Sequence, residues 1–341
     1  MSPWRSRGQD HLIQTLSRSL NEGRLSHAYL LVGPPHVGKG TLALSMAQAV
    51  NCLSDDERPC GQCQQCTRIE GMLHADIHMV TRTSTDSMER GNRGITIGQI
   101  REMEQTIALK PFEGRYRVCI IDEAEYLNQF AANALLKTLE EPPPQVLLLL
   151  LSSKEESLLA TLRSRCQRLE LRPMSEGAMT NLLVEEHTIS EDQAGLLARL
   201  SAGRLGWALR AIRDETILEE RTSELEHLQE VVDGGLELQF KYAQQLTARF
   251  RKNFEAVLAL LELWIKWWRD VLVLQEGSPE AVMNIDYRDV LEQMAHQFDS
   301  KEVIGLVREL IMTQKRLREN ANPRLALEVL MLAIPRKVKT A

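Results

Sequence analysis

Long apolar runs and aromatic residues are scarce in this chain of 341 residues, of which only 5% are aromatic. No apolar run, including residues 146–151, is long enough to span a bilayer. The first twenty residues carry charged side chains and no apolar segment, which predicts a chain without a secretory signal. The expected compartment is therefore the cytoplasm.

The chain also lacks an excess of basic residues, with a formal net charge of −6 at pH 7 and a pI of about 5.9. A protein that holds DNA by itself is usually basic, because phosphate contacts need Lys and Arg. Any contact with nucleic acid is therefore expected to be local or shared with other subunits. In other respects the composition, 43% hydrophobic and 26% charged, is typical of a soluble globular chain of two or three domains.

Residues 33–41 match the phosphate-binding pattern Gly-x-x-x-x-Gly-Lys. A short apolar strand precedes them and a helix follows, which is the context that such a loop requires. Glycines let backbone N–H groups surround phosphate oxygens, and Lys39 brings a positive charge to the β and γ phosphates. The expected nucleotide-binding residues here are Gly33, Pro34, Gly38, Lys39, Gly40 and Thr41.

One position of the loop departs from the pattern. Gly40 stands where Ser or Thr usually holds Mg²⁺, and Thr41 comes one residue late. This departure weakens the argument for a bound metal ion more than the argument for a bound nucleotide. Because adenylate kinases also carry Gly-Lys-Gly-Thr, a small-molecule kinase stays open as an alternative, as does a plain glycine turn before a helix.

An acidic pair follows the apolar strand that ends at Ile121. Asp122 can reach a Mg²⁺ ion beside a phosphate loop, and Glu123 can orient an attacking water. The simpler alternative is an acid that caps the next helix. A position about eighty residues after the phosphate loop favours the catalytic interpretation.

Four of the six cysteines are clustered, with the spacing Cys-x7-Cys-x2-Cys-x2-Cys. In the cytosol such a cluster is more typical of a metal site than of disulfides. The predicted ligands of a closed Zn²⁺ site are Cys52, Cys60, Cys63 and Cys66. Four reduced thiols without a metal, or a redox role, are the alternatives, and Cys119 and Cys166 are expected to be packing residues.

The pattern of secondary structure divides the chain into an α/β part and a helical part. Buried apolar strands alternate with helices in the first part, which predicts a parallel sheet. The polar segment 81–98 is predicted to be a loop. The expected domains are an α/β nucleotide-binding domain over 1–172, a small helical lid over 173–215 and an all-α domain over 216–341. Trp264, Trp267 and Trp268 have helical spacing and are expected to pack in a core or between subunits.

Several segments together resemble AAA+ clamp-loader subunits of the bacterial replicative polymerase, DNA polymerase III. The segments that match, besides the four-cysteine insert, are residues 24–30, 97–101, 122–125, 135–143 and 164–166. The resemblance implies a RecA-like AAA+ domain with a zinc module, a helical lid and a helical collar domain that joins five subunits in a ring. It also implies Zn²⁺ and ATP with Mg²⁺ as cofactors. The implied partners are gamma/tau and delta subunits, the sliding clamp and primed DNA.

Within this family the resemblance favours the non-motor, delta-prime type over the ATP-hydrolysing gamma/tau type. Gly40 departs from a full motor site, residues 320–328 resemble the delta-prime terminus, and no long tail follows. A subunit of this type is expected to act as a stator and to have weak or no ATPase activity of its own. Polymerase (nucleotidyltransferase) activity belongs to the holoenzyme. The gamma/tau-like motor stays the alternative.

The resemblance also bears on individual residues of the nucleotide sites. Arg165 is implied to reach the ATP site of a neighbouring subunit in trans. Ser153 falls at the sensor-1 position of the nucleotide site. In the segment 203–209, which occupies the sensor-2 region, neither Arg204 nor Arg210 is expected to act as the sensor arginine.

Overall fold

The structure is a computed structural model that describes residues 4–55, 57–82 and 94–335. The described residues group into two compact units. The first, here called the sheet unit, lies within Met1–Met179 and Gly203–Trp207. The second, the helical unit, lies within Thr180–Ala202 and Ala208–Ala341. Most of the segment predicted to be a loop, residues 83–93, lies outside the described residues, and the domain boundaries at 172 and 215 stay predictions.

The sheet unit contains a parallel sheet, as predicted. Its strands among the described residues are β1 (Ala28–Val32), β2 (Ile77–Val80), β3 (Arg117–Ile121), β4 (Val146–Ser152) and β5 (Gln167–Glu170). The strand order is β2-β3-β4-β1-β5. The end of β1, Val32, pairs with Ser152 of β4 and with Glu170 of β5. The residues that follow these strands therefore meet at one edge of the sheet.

Helices cover both faces of this sheet. They are α1 (Asp10–Asn21), α2 (Lys39–Asn51), α3 (Gln64–Glu70), α4 (Ile97–Ile107), α5 (Gln129–Glu140) and α6 (Ala160–Arg163). Successive residues of β1 alternate between two apolar clusters: Tyr29 and Leu31 belong to one, and Leu30 and Val32 to the other. This alternation follows from the period of two along a strand. Because both faces are covered, β1, residues 118–121 of β3 and residues 146–151 of β4 are continuous apolar runs.

Two elements of the sheet unit escaped the sequence analysis. Strand β2 has four residues, of which His78 and Met79 are only partly covered, so it is not a distinctive apolar run. Helix α3 has seven residues and begins within the cysteine insert. Both are too short for their periodicity to be recognised.

Helical elements alone follow β5 among the described residues. They are α7 (Glu176–His187), α8 (Glu191–Ser201), α9 (Leu205–Arg213), α10 (Thr216–Asp233), α11 (Leu236–Lys252), α12 (Phe254–Gln275), α13 (Arg288–Gln297), α14 (Ser300–Arg318) and α15 (Pro323–Leu332). Helix α12 supplies the centre of the core in the helical unit, where Trp264, Trp267 and Trp268 are fully buried. The indoles of Trp267 and Trp268 make edge contacts with Tyr287 and Phe298. In the described part of the chain, no helix combines the length and the apolarity that a membrane crossing demands.

Candidate nucleotide and metal sites

The phosphate loop connects β1 to α2 and depends on backbone conformations that favour glycine. Gly33 has a φ of 154° and Gly38 a φ of 105°. A Cβ atom on Gly33 would lie 2.6 Å from the carbonyl oxygen of Leu171, so no larger residue fits there without a shift. The backbone N–H of Gly33 donates to the carbonyl of Ser152 at 3.2 Å. The loop is thereby fixed to the ends of β4 and β5.

Lys39 connects this loop to Ser153. Its Nζ donates to the carbonyl oxygens of Gly33 and Pro34 at 2.7 and 3.0 Å, and to Ser153 Oγ at 2.9 Å. Burial lowers the pKa of the Lys39 ammonium, while the negative charges of Glu125, Asp122 and Glu123 act to raise it. The structure therefore brings together the two predicted nucleotide-binding segments and the acidic end of β3.

The acidic pair after β3 has a constrained backbone. Asp122 Oδ1 accepts the backbone N–H of Glu123 at 3.0 Å, and Glu123 adopts a left-handed conformation with a φ of 53°. The carboxylate of Glu123 pairs with Arg82, at 3.3 Å between Oε2 and Nε. The guanidinium of Arg82 also lies over the ring of Tyr126, 4.3 Å from its centroid. In this conformation the carboxylate of Glu123, which was predicted to orient water, is held by Arg82.

A further acid, Glu125, is part of this site and was not singled out from the sequence as a site residue. Its Oε1 accepts the backbone N–H of Ser153 at 3.1 Å, and its Oε2 is buried without a hydrogen-bond partner among the described residues. It is also the largest source of the negative field at Lys39. Only its place two residues after Glu123 could have drawn attention to it.

Gly40 and Thr41 lie in the first turn of α2. A Cβ atom on Gly40 would have nothing within 4 Å, so the absence of a side chain here is not forced by crowding. The side chain of Thr41 is exposed. The position that usually supplies a hydroxyl to Mg²⁺ therefore supplies none in this chain.

The phosphate loop is also contacted by the first turn of α9. The backbone N–H of Gly206 donates to the carbonyl of His36 at 2.9 Å. A Cβ atom on Gly206 would lie 2.8 Å from that oxygen. Residues 203–207 belong to the sheet unit, and glycine at 206 is what permits this close approach to the loop.

The four clustered cysteines converge as the spacing predicts. Cys52 follows α2, Cys63 directly precedes α3 and Cys66 lies within α3. Gly61, between Cys60 and Cys63, has a φ of 72°. The four sulfur atoms all lie within 4.8 Å of one another. Cys52 and Cys63 have a sulfur–sulfur distance of 4.0 Å. A tetrahedral Zn²⁺ ion with Zn–S bonds of about 2.3 Å requires sulfur–sulfur distances of about 3.8 Å, so the cluster fits such an ion.

The thiols of the cluster differ in acidity, since burial raises the pKa of the Cys52 and Cys66 thiols, whereas the pKa of Cys63 is lowered. Burial raises the pKa of the Cys63 thiol, but N–H groups of Leu53 and Cys66 and the neighbouring thiols lower it to about 6. A thiolate at neutral pH is the form that binds a cation. Cys119 and Cys166 lie outside the cluster, where burial raises the pKa of their thiols to about 12 and about 11. Cys119 belongs to the apolar cluster on one face of the sheet and Cys166 packs against that cluster, as predicted.

A buried polar network fixes the cluster to the sheet, and the sequence analysis missed it. Asp76 is fully buried and accepts the N–H groups of Phe112, Glu113 and Gly114 at 2.7 to 2.8 Å. It also accepts Arg117 Nη2 at 3.0 Å. Glu113 pairs in turn with Arg68 of α3. No local pattern predicts such a network, because the residues that pair in it are separated by up to 45 positions.

Arg165 follows α6 and lies at the surface rather than within a core. Its side chain retains 35% of its exposure and pairs with Glu140, whose Oε1 lies 2.6 Å from Nη2. Nη1 donates to the carbonyl of Thr161 at 3.0 Å. None of these contacts involves the phosphate loop of the same chain. The guanidinium is therefore held by an exposed ion pair.

Comparison with known proteins agrees with this architecture. A family described as "DNA polymerase III, delta subunit" matches residues 8–175, and one described as "DNA polymerase III, delta subunit, C terminal" matches residues 235–335. The DNA polymerase III subunit delta' of Bacillus subtilis is 29% identical over 326 residues, which is 96% of this chain and 96% of that protein.

Subunits described as tau or tau/gamma are also similar to this chain. The tau/gamma subunit of Haemophilus influenzae is 34% identical over 219 residues, 63% of this chain, and the chain spans only 30% of that subunit's length. The tau subunit of Escherichia coli is 32% identical over 216 residues, 62% of this chain and 32% of that subunit.

A solved DNA polymerase III gamma subunit-related protein from Thermotoga maritima matches 94% of the chain and 98% of its own length. It has 18% identity and a TM-score of 0.48. The two family matches cover most of the chain, and the delta' relative is similar over nearly all of it. The resemblance drawn from the motifs is thus confirmed, and the chain belongs to the delta-subunit family of bacterial DNA polymerase III.

Proposed function

We propose that this chain is a clamp-loader subunit of the DNA polymerase III holoenzyme, and that it works in the cytoplasm. In this role it helps to load the sliding clamp onto primed DNA, within a ring of five subunits that includes gamma/tau-type and delta-type subunits. The similarity to a delta' subunit over 96% of both chains supports the delta-prime type. The formal net charge of −6 is consistent with contacts to DNA that are shared among subunits.

The nucleotide site of this chain binds ATP but turns it over slowly or not at all. ATP binding is supported by the phosphate loop, whose backbone is fixed, and by Lys39, whose ammonium donates to carbonyl oxygens of that loop. Slow turnover is supported by Gly40, which supplies no hydroxyl to Mg²⁺, and by Glu123, which is paired with Arg82. Asp122 and Glu123 remain the acids of this site, and Ser153 is its sensor-1 hydroxyl.

The chain acts on a neighbouring subunit through Arg165, and one observation carries this proposal. The guanidinium lies at the surface, in an exposed ion pair, and none of its contacts is with the phosphate loop of its own chain. An arginine placed in this way can enter the ATP site of a neighbour in a ring. There it would stabilise the charge that develops on the transferred phosphate, an effect worth about 10³- to 10⁵-fold in related phosphoryl-transfer systems.

The decisive experiment measures ATP hydrolysis by the assembled loader. The chain is combined with the gamma/tau-type and delta-type subunits of its own genome, the sliding clamp and primed DNA. We expect Arg165→Ala to lower kcat by at least about tenfold while the complex still assembles. Arg163→Ala, two residues away and also in an exposed stretch, is the matched control. An unchanged rate with Arg165→Ala would refute the trans role.

A gamma/tau-like motor is the second candidate, because the structure places Lys39 in the field of Asp122, Glu123 and Glu125. The isolated chain distinguishes the two candidates. Steady phosphate release by the chain alone, abolished by Lys39→Ala, would support the motor. Nucleotide binding without such release supports the delta-prime type.

The four thiolates hold a structural Zn²⁺ ion, and all four positions are occupied by protein ligands, so the ion has no open site for catalysis. Native mass spectrometry of the purified chain is expected to show one Zn²⁺ per chain. Cys60→Ser should remove it, whereas Cys119→Ser should retain it. Equal zinc content in both variants would contradict the assignment.

A further inference from the structure

We infer that Glu140 positions the guanidinium of Arg165 for its neighbour, an inference that rests on the proposed role of Arg165. Glu140 is the last residue of α5, and Arg165 follows α6 by two residues. Arg165 Nη2 donates to Glu140 Oε1 at 2.6 Å, and Nη1 donates to the carbonyl of Thr161 at 3.0 Å. The two terminal nitrogens of the Arg165 guanidinium are therefore held by acceptors from two different helices, α5 and α6.

The backbone that carries Glu140 is firmly fixed. The side chain of Asn128 caps the start of α5, and Leu135 and Leu139 of this helix are buried against the sheet. At the other end, the ring of His27 hydrogen-bonds the carbonyl of Leu139 at 3.1 Å. The Glu140 carboxylate therefore projects from a rigid helix end into solvent, with 52% of the side chain exposed.

The contacts of Arg165 leave one of its donors for a phosphate. A guanidinium has five N–H donors in a fixed plane, and the contacts with Glu140 and Thr161 use Nη1 and Nη2 but not Nε. Arg165 can thus gain an anionic acceptor while Glu140 keeps its orientation. Because an exposed ion pair contributes little to folding, loss of Glu140 is expected to change the orientation of Arg165 rather than the fold.

The test uses the same assembled loader and a matched pair of variants. Glu140→Gln keeps the size of the side chain but removes its charge. Glu141→Gln makes the same change at the next residue, which is also exposed and is not among the contacts of Arg165. We expect Glu140→Gln to lower kcat about three- to tenfold with little change in KM, and Glu141→Gln to stay within about twofold of the parent.

A double variant separates positioning from a general structural effect. If Glu140 acts through Arg165, then Arg165→Ala and Arg165→Ala/Glu140→Gln have the same rate. Glu140→Asp, which keeps the charge, should recover part of the loss. The inference is overturned if Glu140→Gln matches Glu141→Gln, if it raises the rate, or if it lowers the rate further in the Arg165→Ala background.

The result also distinguishes this inference from the proposed function. If Arg165→Ala lowers the rate and Glu140→Gln does not, only the positioning role of Glu140 fails. If Arg165→Ala leaves the rate unchanged, the trans role fails, and the inference about Glu140 fails with it. Thermal unfolding of each isolated variant, expected to match the parent chain, shows that the fold is intact.

Discussion

The sheet unit and the helical unit both bury apolar and polar side chains, but they differ in what those side chains build. In the sheet unit, Lys39, Asp76 and Arg117 are buried, and each is held by several hydrogen bonds. At the centre of the helical unit stand Trp264 and Trp268, whose indole N–H groups have no hydrogen-bond partner among the described residues. Polar contacts in the sheet unit shape the candidate sites, whereas the helical unit, which also buries the hydrogen-bonded Asp270 and Asn284, is centred on an aromatic core.

The largest loss of stability is expected when a side chain of the aromatic core in the helical unit is truncated. Trp268 is fully buried, and Trp268→Ala leaves a large cavity beside Phe298. Such truncations cost about 3–5 kcal/mol, so the free energy of unfolding should fall by about that amount. Hydrogen exchange of peptides from α12 and α14 measures the change.

The matched control for this variant is Leu325→Ala in α15, where the side chain is 60% exposed. Its effect should stay within about 0.5 kcal/mol. Equal losses in the two variants would mean that burial in this aromatic core is not what stabilises the helical unit.

The next largest loss of stability is expected when the buried Asp76 network of the sheet unit is broken. Asp76→Ala leaves the buried guanidinium of Arg117 without its carboxylate and frees the N–H groups of Phe112, Glu113 and Gly114. Removal of one partner of a buried pair costs about 3 kcal/mol or more. Urea unfolding followed by circular dichroism tests this, with Asp55→Ala, at an exposed acid, as the control.

Asp76 also predicts how stability depends on pH. Burial raises the pKa of this carboxyl, but the hydrogen bonds from three backbone N–H groups and from Arg117 outweigh burial and lower it. A carboxyl whose pKa is lowered by folding stabilises the protein above its unfolded pKa of about 3.9 and loses that contribution as the pH falls through the folded value. Asp76→Asn should therefore flatten the loss of stability below about pH 4. An unchanged pH profile would show that Asp76 is not responsible.

The same contrast explains what the sequence could predict. The phosphate loop, the acidic end of β3 and the four cysteines could be found because each is a contiguous pattern with a fixed spacing. The central strands could be found because burial on both faces produces unbroken apolar runs such as residues 118–121.

What could not be predicted depends on contacts between distant residues. Asp76 and Arg117 are 41 positions apart, and Arg165 and Glu140 are 25 apart. A polar residue that pairs across such distances looks like any other polar residue until the fold brings its partner close. Strand β2 was missed for a related reason, since only its pairing with β3 makes four residues a strand.

The smallest change in stability is expected from the addition of a single methyl group at Gly206. Gly206 lies in α9, where alanine would normally stabilise a helix by about 0.5–1 kcal/mol. Here the added Cβ would lie 2.8 Å from the carbonyl oxygen of His36, so the phosphate loop or the helix must move. We expect Gly206→Ala to destabilise the sheet unit by about 1–2 kcal/mol and to weaken ATP binding.

Gly195→Ala in α8 is the matched control, because a Cβ atom there would have nothing within 4 Å. This variant should be as stable as the parent or up to about 1 kcal/mol more stable, with unchanged nucleotide affinity. The two glycines therefore predict shifts of opposite sign for the same chemical change, measured by thermal unfolding and by titration with a fluorescent ATP analogue. If both variants were stabilised, the hydrogen bond between Gly206 and His36 would not restrict the phosphate loop, and the claim that polar contacts shape this site would lose its support there.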